Sequence, residues 1–526
     1  MRDGRLAAGG RCCRRGRHAR VRTMRARLAD LLVGLSRFAD LGFGLDGGTA
    51  ATSGVLAARL ARELNLESSE ASACFYVALL THVGCVGYAS ETARLFGDEL
   101  AANAAAAHAD HASVTDTVAT FVPMLARGRS PITRVRVALR LLTRGSSWGE
   151  AYTTAACEVG RDAARRMQLP ETVQTGMLHV YDEWRHGGDD IPISARVARL
   201  AGIAAVFSAD GSPASGALRR RAGGMLDPML VEAFVRAGLA VEPDADLRDT
   251  VLDAEPDPVV WTDDLVCVAE VFADLADLKS PSFLGHSRAV AALSLSAASR
   301  AGLSAADRRD LHLAGLLHDV GRVAISSAVW EKQTPLITDE IEQVRLHPYY
   351  SERIVAGSAE LTHLAPLVGR HHERLDGTGY PHGCTAVDLT MPMRILAAAD
   401  AYQTLREPRP HRPALPPSAA ERAVLDRAAA GALDLDAVRA VVGGDVAIPT
   451  RAVPVPAGLT AREIEVLRLV AHGCSNAEIG ARLVISRRTA EHHVQHIYTK
   501  IGVSSRAAAT LFAVENQLLT SSGADG

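Results

Sequence analysis

The chain has 526 residues, of which 48% are hydrophobic and 22% charged, and its formal net charge is −3. At roughly 100 to 200 residues per domain this length predicts three or four folding units, and the composition excludes disordered, collagen-like and disulfide-scaffold proteins. The near-neutral charge excludes a uniformly basic nucleic-acid-binding surface, so any DNA contact must lie on a local patch. The eight cysteines form no Cys-x-x-Cys pair, which predicts a reduced, cytoplasmic protein without a zinc knuckle.

Residues 1–23 are rich in arginine but lack the apolar core of a signal peptide. Two interpretations stay open: a disordered basic leader, or a start assigned too early, with Met24 as the first residue. The second is favoured because the amphipathic pattern begins directly after Met24. Charged residues or histidines interrupt each apolar run well before the ~18 residues of a membrane helix, so we expect no membrane partner.

From residue 24 to about 442, apolar residues recur at helical spacing and sustained strand alternation is absent. An internal repeat is visible in this stretch: residues 38–41 recur as 272–275, and residues 48–89 align without a gap onto 285–326. The expected fold class is therefore all-α, with two tandem helical bundles.

The expected bundles span 24–255 and 256–442. The first contains an additional, Ala-rich helical stretch at about 95–145, in which His108 and His111 lie one turn apart. We interpret this histidine pair as a solvated helix face and not as a metal site.

The second bundle concentrates imidazole and carboxylate side chains. Ligands spread over several helices suit a di-metal site in a helical bundle. A carboxylate next to a histidine can bridge two cations about 3.5–4 Å apart, and such a pair lowers the pKa of bound water for attack on phosphorus. Gly321 follows the apolar run that ends at Leu317, which predicts a helix C-terminal turn for the adjacent His and Asp. The candidate ligands are His286, His318, Asp319, His347, His371, His372 and Asp400.

The segments "HDVGR", "HHERLDGTGYP" and "MPMRILAAADAYQTLREPRPHR" resemble the HD-GYP phosphodiesterases, which hydrolyse cyclic dinucleotides, chiefly cyclic di-GMP. The resemblance covers about residues 260–442. It implies one metal ion held by His286, His318, Asp319 and Asp400, and a second held by His347, His371 and His372, with Asp319 as the bridge. Iron or manganese is the expected metal. It also implies catalytic roles for His318, Asp319 and Arg322, and a substrate pocket lined by Arg322, Gly379, Tyr380, Pro381, Arg409 and Arg412.

Several positions depart from the family pattern. Arg322 replaces a lysine, Gln403 replaces an acidic residue, and His411 replaces a tyrosine. Ser282 stands where relatives with a third metal carry glutamate, so two ions are expected. Because of these departures, a second hypothesis stays open: a non-catalytic transcription factor that senses nucleotide or metal. Hydrolysis of another nucleotide is a third, disfavoured by the Gly-Tyr-Pro signature.

The first bundle lacks the ligand set at the aligned positions. It is therefore expected to be a degenerate copy that holds no dinuclear centre. Two roles stay open for it: a packing partner of the second bundle, or an emptied pocket that binds an effector. The aligned residues are Thr49, Thr81-His82, Ala156 or Cys157, Tyr181-Asp182 and Gly202.

A Pro/Gly linker at 443–458 precedes a compact unit at 459–526. Capping boxes at Thr460/Glu463 and Ser475/Glu478, with Ser486 as a further cap, predict short helices in this unit.

The segment "LTAREIEVLRLVAHGCSNAEIGARLVISRRTAEHHVQHIYTKIGVSSRAAAT" resembles the LuxR-type helix-turn-helix over its whole length. The resemblance implies that the third helix reads DNA and that the fourth, residues 505–519, supports a homodimer on a pseudo-palindromic site. The candidate DNA contacts are Arg487, Arg488, Thr489, His492, His493, Gln495, His496 and Lys500. The expected protein is thus a cytoplasmic, metal-dependent cyclic-dinucleotide phosphodiesterase coupled to a transcriptional regulator.

Overall fold

The computed structural model describes residues 26–121, 131–241, 246–261, 265–443 and 456–519. Its architecture is helical, which confirms the expected all-α class. Within the described ranges, sheet structure is limited to β1 (Ala26–Arg27) and β2 (Val260–Trp261), which pair antiparallel with Ala26 opposite Trp261. The basic leader and most of the Pro/Gly linker lie outside the described residues.

The first unit contains thirteen helices among its described residues. They are α1 (Leu28–Phe43), α2 (Thr49–Glu63), α3 (Ser68–Leu80), α4 (Ala89–Phe96), α5 (Glu99–His108), α6 (Val114–Phe121), α7 (Pro131–Arg166), α8 (Glu171–His179), α9 (Trp184–Gly187), α10 (Ile193–Ala209), α11 (Ala214–Arg221), α12 (Pro228–Arg236) and α13 (Leu247–Ala254). Short 3-10 helices lie at Val83–Tyr88 and Gly188–Asp190.

The second unit carries the predicted metal ligands. Its helices are α14 (Leu265–Asp277), α15 (His286–Arg300), α16 (Ala305–Leu317), α17 (Ser327–Trp330), α18 (Thr338–Arg345), α19 (His347–Val355), α20 (Ala365–Gly369), α21 (Met391–Arg406), α22 (Pro417–Ala429) and α23 (Leu435–Val442). Three 3-10 helices lie at Pro281–Phe283, Val320–Ala324 and Thr362–Leu364. Helices α2 and α15 both have 15 residues, and α3 and α16 both have 13; the internal repeat itself stays a prediction.

The third unit is a small four-helix domain that follows a 3-10 turn at Pro456–Gly458. Both predicted capping boxes are present, and the Ser486 hydroxyl accepts the N–H of Thr489, so these predictions are confirmed. The helices are α24 (Ala461–Ala471), α25 (Asn476–Leu483), α26 (Arg487–Ile501) and α27 (Arg506–Glu515).

The first two units share one apolar core and fold against each other. Phe38 of α1 packs edge-on against Phe272 of α14, with ring centroids 5.3 Å apart. The fully buried ammonium of Lys279 lies 2.8 Å from a carboxylate oxygen of Glu99, which belongs to the first unit. A buried cation requires such a partner, so this pair couples the two units.

The third unit has its own core, but α27 packs against α7 of the first unit. Ala507 and Leu511 belong to the large core of the first two units. The Glu158 carboxylate accepts the backbone N–H of Ser504 at 2.6 Å and of Ser505 at 2.8 Å. The predicted dimerisation helix is therefore engaged within its own chain.

One stretch, Ser68–Phe96, is long and apolar enough to cross a membrane by length and composition alone. It runs through α3 and α4, and 78% of its most apolar window is buried inside the fold. This burial is typical of a core helix.

Candidate metal centre

The adjacent His318 and Asp319 lie in the turn between α16 and the 3-10 helix at Val320–Ala324, as the glycine position predicted. Gly321 is required there by close packing. A Cβ at this position would lie 2.2 Å from the carbonyl oxygen of His347 and 2.4 Å from the backbone nitrogen of Ser351. Only glycine therefore lets α19 approach closely enough to bring His347 to the Asp319 carboxylate.

The structure brings all seven predicted ligands together in two groups whose donor atoms lie within 4.8 Å of one another. One group is His286, His318, Asp319 and Asp400; the other is His347, His371 and His372.

Asp319 lies between the two groups and faces both. Its Oδ2 is 2.8 Å from Nε2 of His318 and 3.2 Å from Nε2 of His286. Its Oδ1 is 3.2 Å from Nε2 of His347 and 3.6 Å from Nε2 of His371. Each oxygen thus belongs to a different group, which is the placement that a bridging carboxylate needs.

Backbone carbonyls orient three of the imidazoles. Each of these rings places Nδ1 against a carbonyl oxygen three residues earlier, so the hydrogen-bond network assigns the proton to Nδ1 and leaves the Nε2 lone pair facing the cluster. The pairs are His318 with Gly315 at 2.8 Å, His347 with Val344 at 2.6 Å, and His371 with Val368 at 2.7 Å.

His286 is oriented instead by Glu407, a residue that the sequence reasoning missed. The Glu407 Oε2 lies 2.8 Å from Nδ1 of His286. Burial alone would lower the pKa of His286, but the carboxylates of Glu407, Asp319 and Asp400 raise it well above its ordinary value, so a metal ion at this ring must displace a proton. Gln403 donates to the other oxygen of Glu407 at 2.7 Å. Glu407 stands directly after α21, inside the segment that resembles the HD-GYP family. An acidic residue at that position was the sequence feature that could have indicated a partner for a metal ligand.

The donor set fits metal ions. Both oxygens of Asp319 and Nε2 of His318 are buried without a hydrogen-bond partner of suitable geometry in the described part of the chain. Burial opposes ionisation of Asp319, yet Arg322 and His318 hold its pKa well below the ordinary value. Burial lowers the pKa of His372 well below its ordinary value, so that imidazole is neutral. Ionised carboxylate and neutral imidazole are the ligands of first-row divalent transition metals.

Arg322 lies beside the cluster and contacts the Asp319 carboxylate. Its guanidinium lies 4.2 Å over the Phe283 ring, and Nη2 is 3.4 Å from Nε2 of His286. Arg322, which is expected to contact a substrate phosphate, is therefore paired with Asp319, a predicted metal ligand.

The other two predicted substrate arginines differ in placement. Arg409 also stacks on Phe283, with its guanidinium 4.9 Å from the ring, and it pairs with Glu407 at 3.0 Å. Arg412 donates to the backbone carbonyls of Thr404, Leu405, Glu407 and Pro413. The expected substrate contact of Arg412 is not supported by this placement, because its donors already close the loop after α21.

The Gly379-Tyr380-Pro381 loop borders the second ligand group. The Tyr380 ring lies 4.9 Å from the His372 ring. Glu373, a second residue that the sequence reasoning missed, is buried and accepts the backbone N–H of His382 at 2.7 Å and of Cys384 at 2.9 Å. It thereby anchors the far side of this loop.

The predicted DNA contacts lie on α26. All of these side chains are exposed or half-buried. Arg487 and Arg488 form no ion pair with a carboxylate of the described residues. Lys500 differs, because its ammonium lies 2.7 Å from the Glu463 carboxylate and donates to the carbonyl of Gly458. Its DNA contact stays a prediction.

Comparisons with known proteins identify relatives for two parts of the chain. The HD domain family profile matches residues 270–435, and the profile of bacterial regulatory proteins of the luxR family matches residues 457–513. The chain is 30% identical over 375 residues to the 3'3'-cGAMP-specific phosphodiesterase 3 of Vibrio cholerae, covering 67% of this chain and 81% of the relative. It is 44% identical over 98 residues to the "Probable transcriptional regulatory protein NarL" of Mycobacterium tuberculosis, covering 19% of this chain and 44% of the relative.

A solved cyclic GMP-AMP specific phosphodiesterase from V. cholerae has a similar fold. The TM-score is 0.54 at 24% identity, covering 80% of this chain and 98% of the solved one. This likeness supports the all-α arrangement of the first two units.

Proposed function

Because the chain belongs to the HD-domain family of the cyclic-dinucleotide phosphodiesterases and carries a luxR-family domain, we propose that it hydrolyses a cyclic dinucleotide and regulates transcription by binding DNA. Cyclic di-GMP and 3'3'-cGAMP are the proposed substrates. The observation that carries the enzymatic part is the seven-residue cluster, with Asp319 facing both ligand groups.

In this proposal the seven ligands would hold two iron or manganese ions, and such ions would supply a nucleophile from water and neutralise phosphate charge. Asp319 holds both positions together. Backbone carbonyls and Glu407 orient four of the five imidazoles so that their Nε2 atoms face the centre. Arg322, released from Asp319, neutralises a non-bridging phosphate oxygen, and the Tyr380 ring supplies an apolar wall beside His372.

The direct test is metal analysis of the purified chain together with turnover measured on cyclic di-GMP, 3'3'-cGAMP and cyclic di-AMP. We expect bound iron or manganese and release of a linear dinucleotide from a guanine-containing substrate. Metal-loaded protein that leaves the whole panel intact would refute the enzymatic proposal.

A second candidate function is non-catalytic sensing, and the position of Arg322 on Asp319 favours it. A cation held at the bridging carboxylate competes with metal for the same charge. Nucleotide affinity and turnover measured in one preparation separate the two candidates, because tight binding without product identifies a sensor.

The Glu407→Gln variant tests the orientation of His286. Glutamine keeps the size of the side chain but removes the charge that stabilises the Nδ1 proton, so we expect metal affinity to fall about 10- to 100-fold. Metal titration followed by turnover at saturating metal measures this. Glu421→Gln, an exposed neutralisation on α22, is the matched control, and equal metal affinity in both variants would contradict the role of Glu407.

For the regulatory part, we propose that DNA binding as a homodimer requires α27 to leave α7. The supporting contacts are the buried Ala507 and Leu511 and the Glu158 carboxylate at the N-terminus of α27. A carboxylate stabilises a helix N-terminus, and a cation there destabilises it.

The Glu158→Lys variant should therefore free the third unit. We expect DNA affinity to rise about 5-fold or more, with a larger dimer fraction, measured by fluorescence anisotropy and analytical ultracentrifugation. Glu150→Lys reverses an exposed charge on the same helix and should change neither. Unaltered DNA affinity in Glu158→Lys would rule out the packing of α27 against α7 as the contact that limits DNA binding.

A further inference from the structure

The first unit encloses a cavity of about 530 Å³ between α5, α6, α7 and α10. This volume lies in the range of small-molecule sites. It is separate from the metal cluster, which lies in the second unit.

The cavity lies where the predicted repeat would place the counterpart of the metal centre. Thr81, His82, Tyr181 and Gly202 line it, and they align with predicted ligand positions of the second unit. The His82 ring stacks on Phe43 with centroids 4.2 Å apart, and burial lowers the pKa of His82 to about 4. Within the described chain, the groups of potential metal donors all lie in the second unit.

Most of the cavity wall is apolar. Phe96 and Trp148 meet edge-on at 5.4 Å, and Phe121 lies 5.5 Å from Phe96. Tyr152 lines the wall one turn further along α7. His111 also faces the cavity, and burial lowers its pKa to about 4. The solvated-face interpretation is thus wrong for His111, since the chain folds it inward, while His108 stays 37% exposed and contacts Asp210.

Among the described residues that line the cavity, Arg199 of α10 is the arginine without a carboxylate at ion-pair distance, although Glu183 acts on its charge from further away. Its guanidinium lies 5.0 Å from the Tyr181 ring, and no carboxylate of the described chain comes within ion-pair distance of it. Arg196, one turn earlier, pairs with Asp227 at 2.8 Å. Glu183 also lines the cavity, but it pairs with Arg185 at 2.7 Å.

A desolvated cation without a counter-ion is unfavourable. Arg199 is half-buried, and burial, opposed by Tyr181 and Glu183, lowers its pKa. A planar guanidinium pairs with a carboxylate through two parallel hydrogen bonds. A ligand carboxylate would supply the missing charge, and the aromatic wall would cover an apolar body.

We propose that this cavity binds a small monocarboxylic acid with an apolar body, whose carboxylate pairs with Arg199. A cyclic dinucleotide fits less well, because it brings two phosphates to a wall with one unpaired arginine and largely apolar surroundings.

The test compares acids with neutral compounds of the same shape on the purified full-length chain. Decanoate is compared with decanol, and 2-naphthoate with naphthalene-2-methanol, by calorimetry below the micellar concentration. We expect at least one acid to bind about 10-fold or more tightly than its alcohol. Arg199→Gln should abolish that preference and leave alcohol binding in place, whereas Arg219→Gln, an exposed change on α11, should retain it.

Ala106→Phe fills the cavity from α5 and should abolish binding of acid and alcohol alike. Unchanged thermal unfolding and metal content would show that each variant is folded. The proposal is overturned if neither acid binds the wild-type chain, if acid and alcohol bind equally, if Arg199→Gln keeps the preference, or if cyclic di-GMP displaces the bound acid.

Discussion

Asp319→Asn should reduce cyclic-dinucleotide turnover by more than about 100-fold and lower the metal content of the purified chain. Asn keeps the shape of the side chain but cannot supply two anionic oxygens. Asp319 is the residue whose Oδ1 and Oδ2 face different ligand groups, so its loss weakens both metal positions at once. Elemental analysis and turnover on cyclic di-GMP and 3'3'-cGAMP measure the two effects.

The matched control is Asp436→Asn, which removes a 78% exposed carboxylate from the same unit. It should leave metal content and turnover at the wild-type level. If Asp319→Asn retained the full metal content, the bridging role would be wrong; retained turnover would place the chemistry elsewhere in the chain.

Replacing both Arg487 and Arg488 with alanine should weaken DNA binding about 10-fold or more at all sequences. Both side chains are exposed at the N-terminus of α26. If each contacts one phosphate, the slope of log affinity against log salt should become shallower by about 2. Fluorescence anisotropy over a salt series, on a promoter fragment and on unrelated DNA, measures affinity and slope together.

The control double variant, Arg422→Ala with Arg439→Ala, removes the same charge from exposed sites on α22 and α23. Its affinity and salt slope should match the wild type. A sequence-dependent loss in the α26 variant would instead assign these arginines to base contacts, and no loss at all would remove α26 from the DNA interface.

The sequence by itself determined the helical class, the residues of the candidate metal cluster and the helix caps of the third unit. These features follow from short-range physics. Thr460/Glu463 and Ser475/Glu478 form their capping boxes within one turn, and α16 ends at Leu317, directly before the adjacent His318 and Asp319. The histidines and aspartates of the cluster are sparse, chemically distinct residues in recognisable segments. They can therefore be identified from the sequence without knowledge of the distances between them.

Only the tertiary structure decided which partner each polar side chain meets. Glu407 lies 121 positions from His286 in the chain, and no local pattern predicts that pairing. The sequence predicted that Arg412 contacts the substrate. In the folded loop, its guanidinium donates to backbone carbonyls instead.

The sequence left an emptied pocket as one of two open roles for the first unit, but it gave neither the volume of the cavity between α5, α7 and α10 nor the placement of Arg199 in its wall. Long-range packing sets such voids and pairings, because it depends on the joint placement of helices that are distant in the chain.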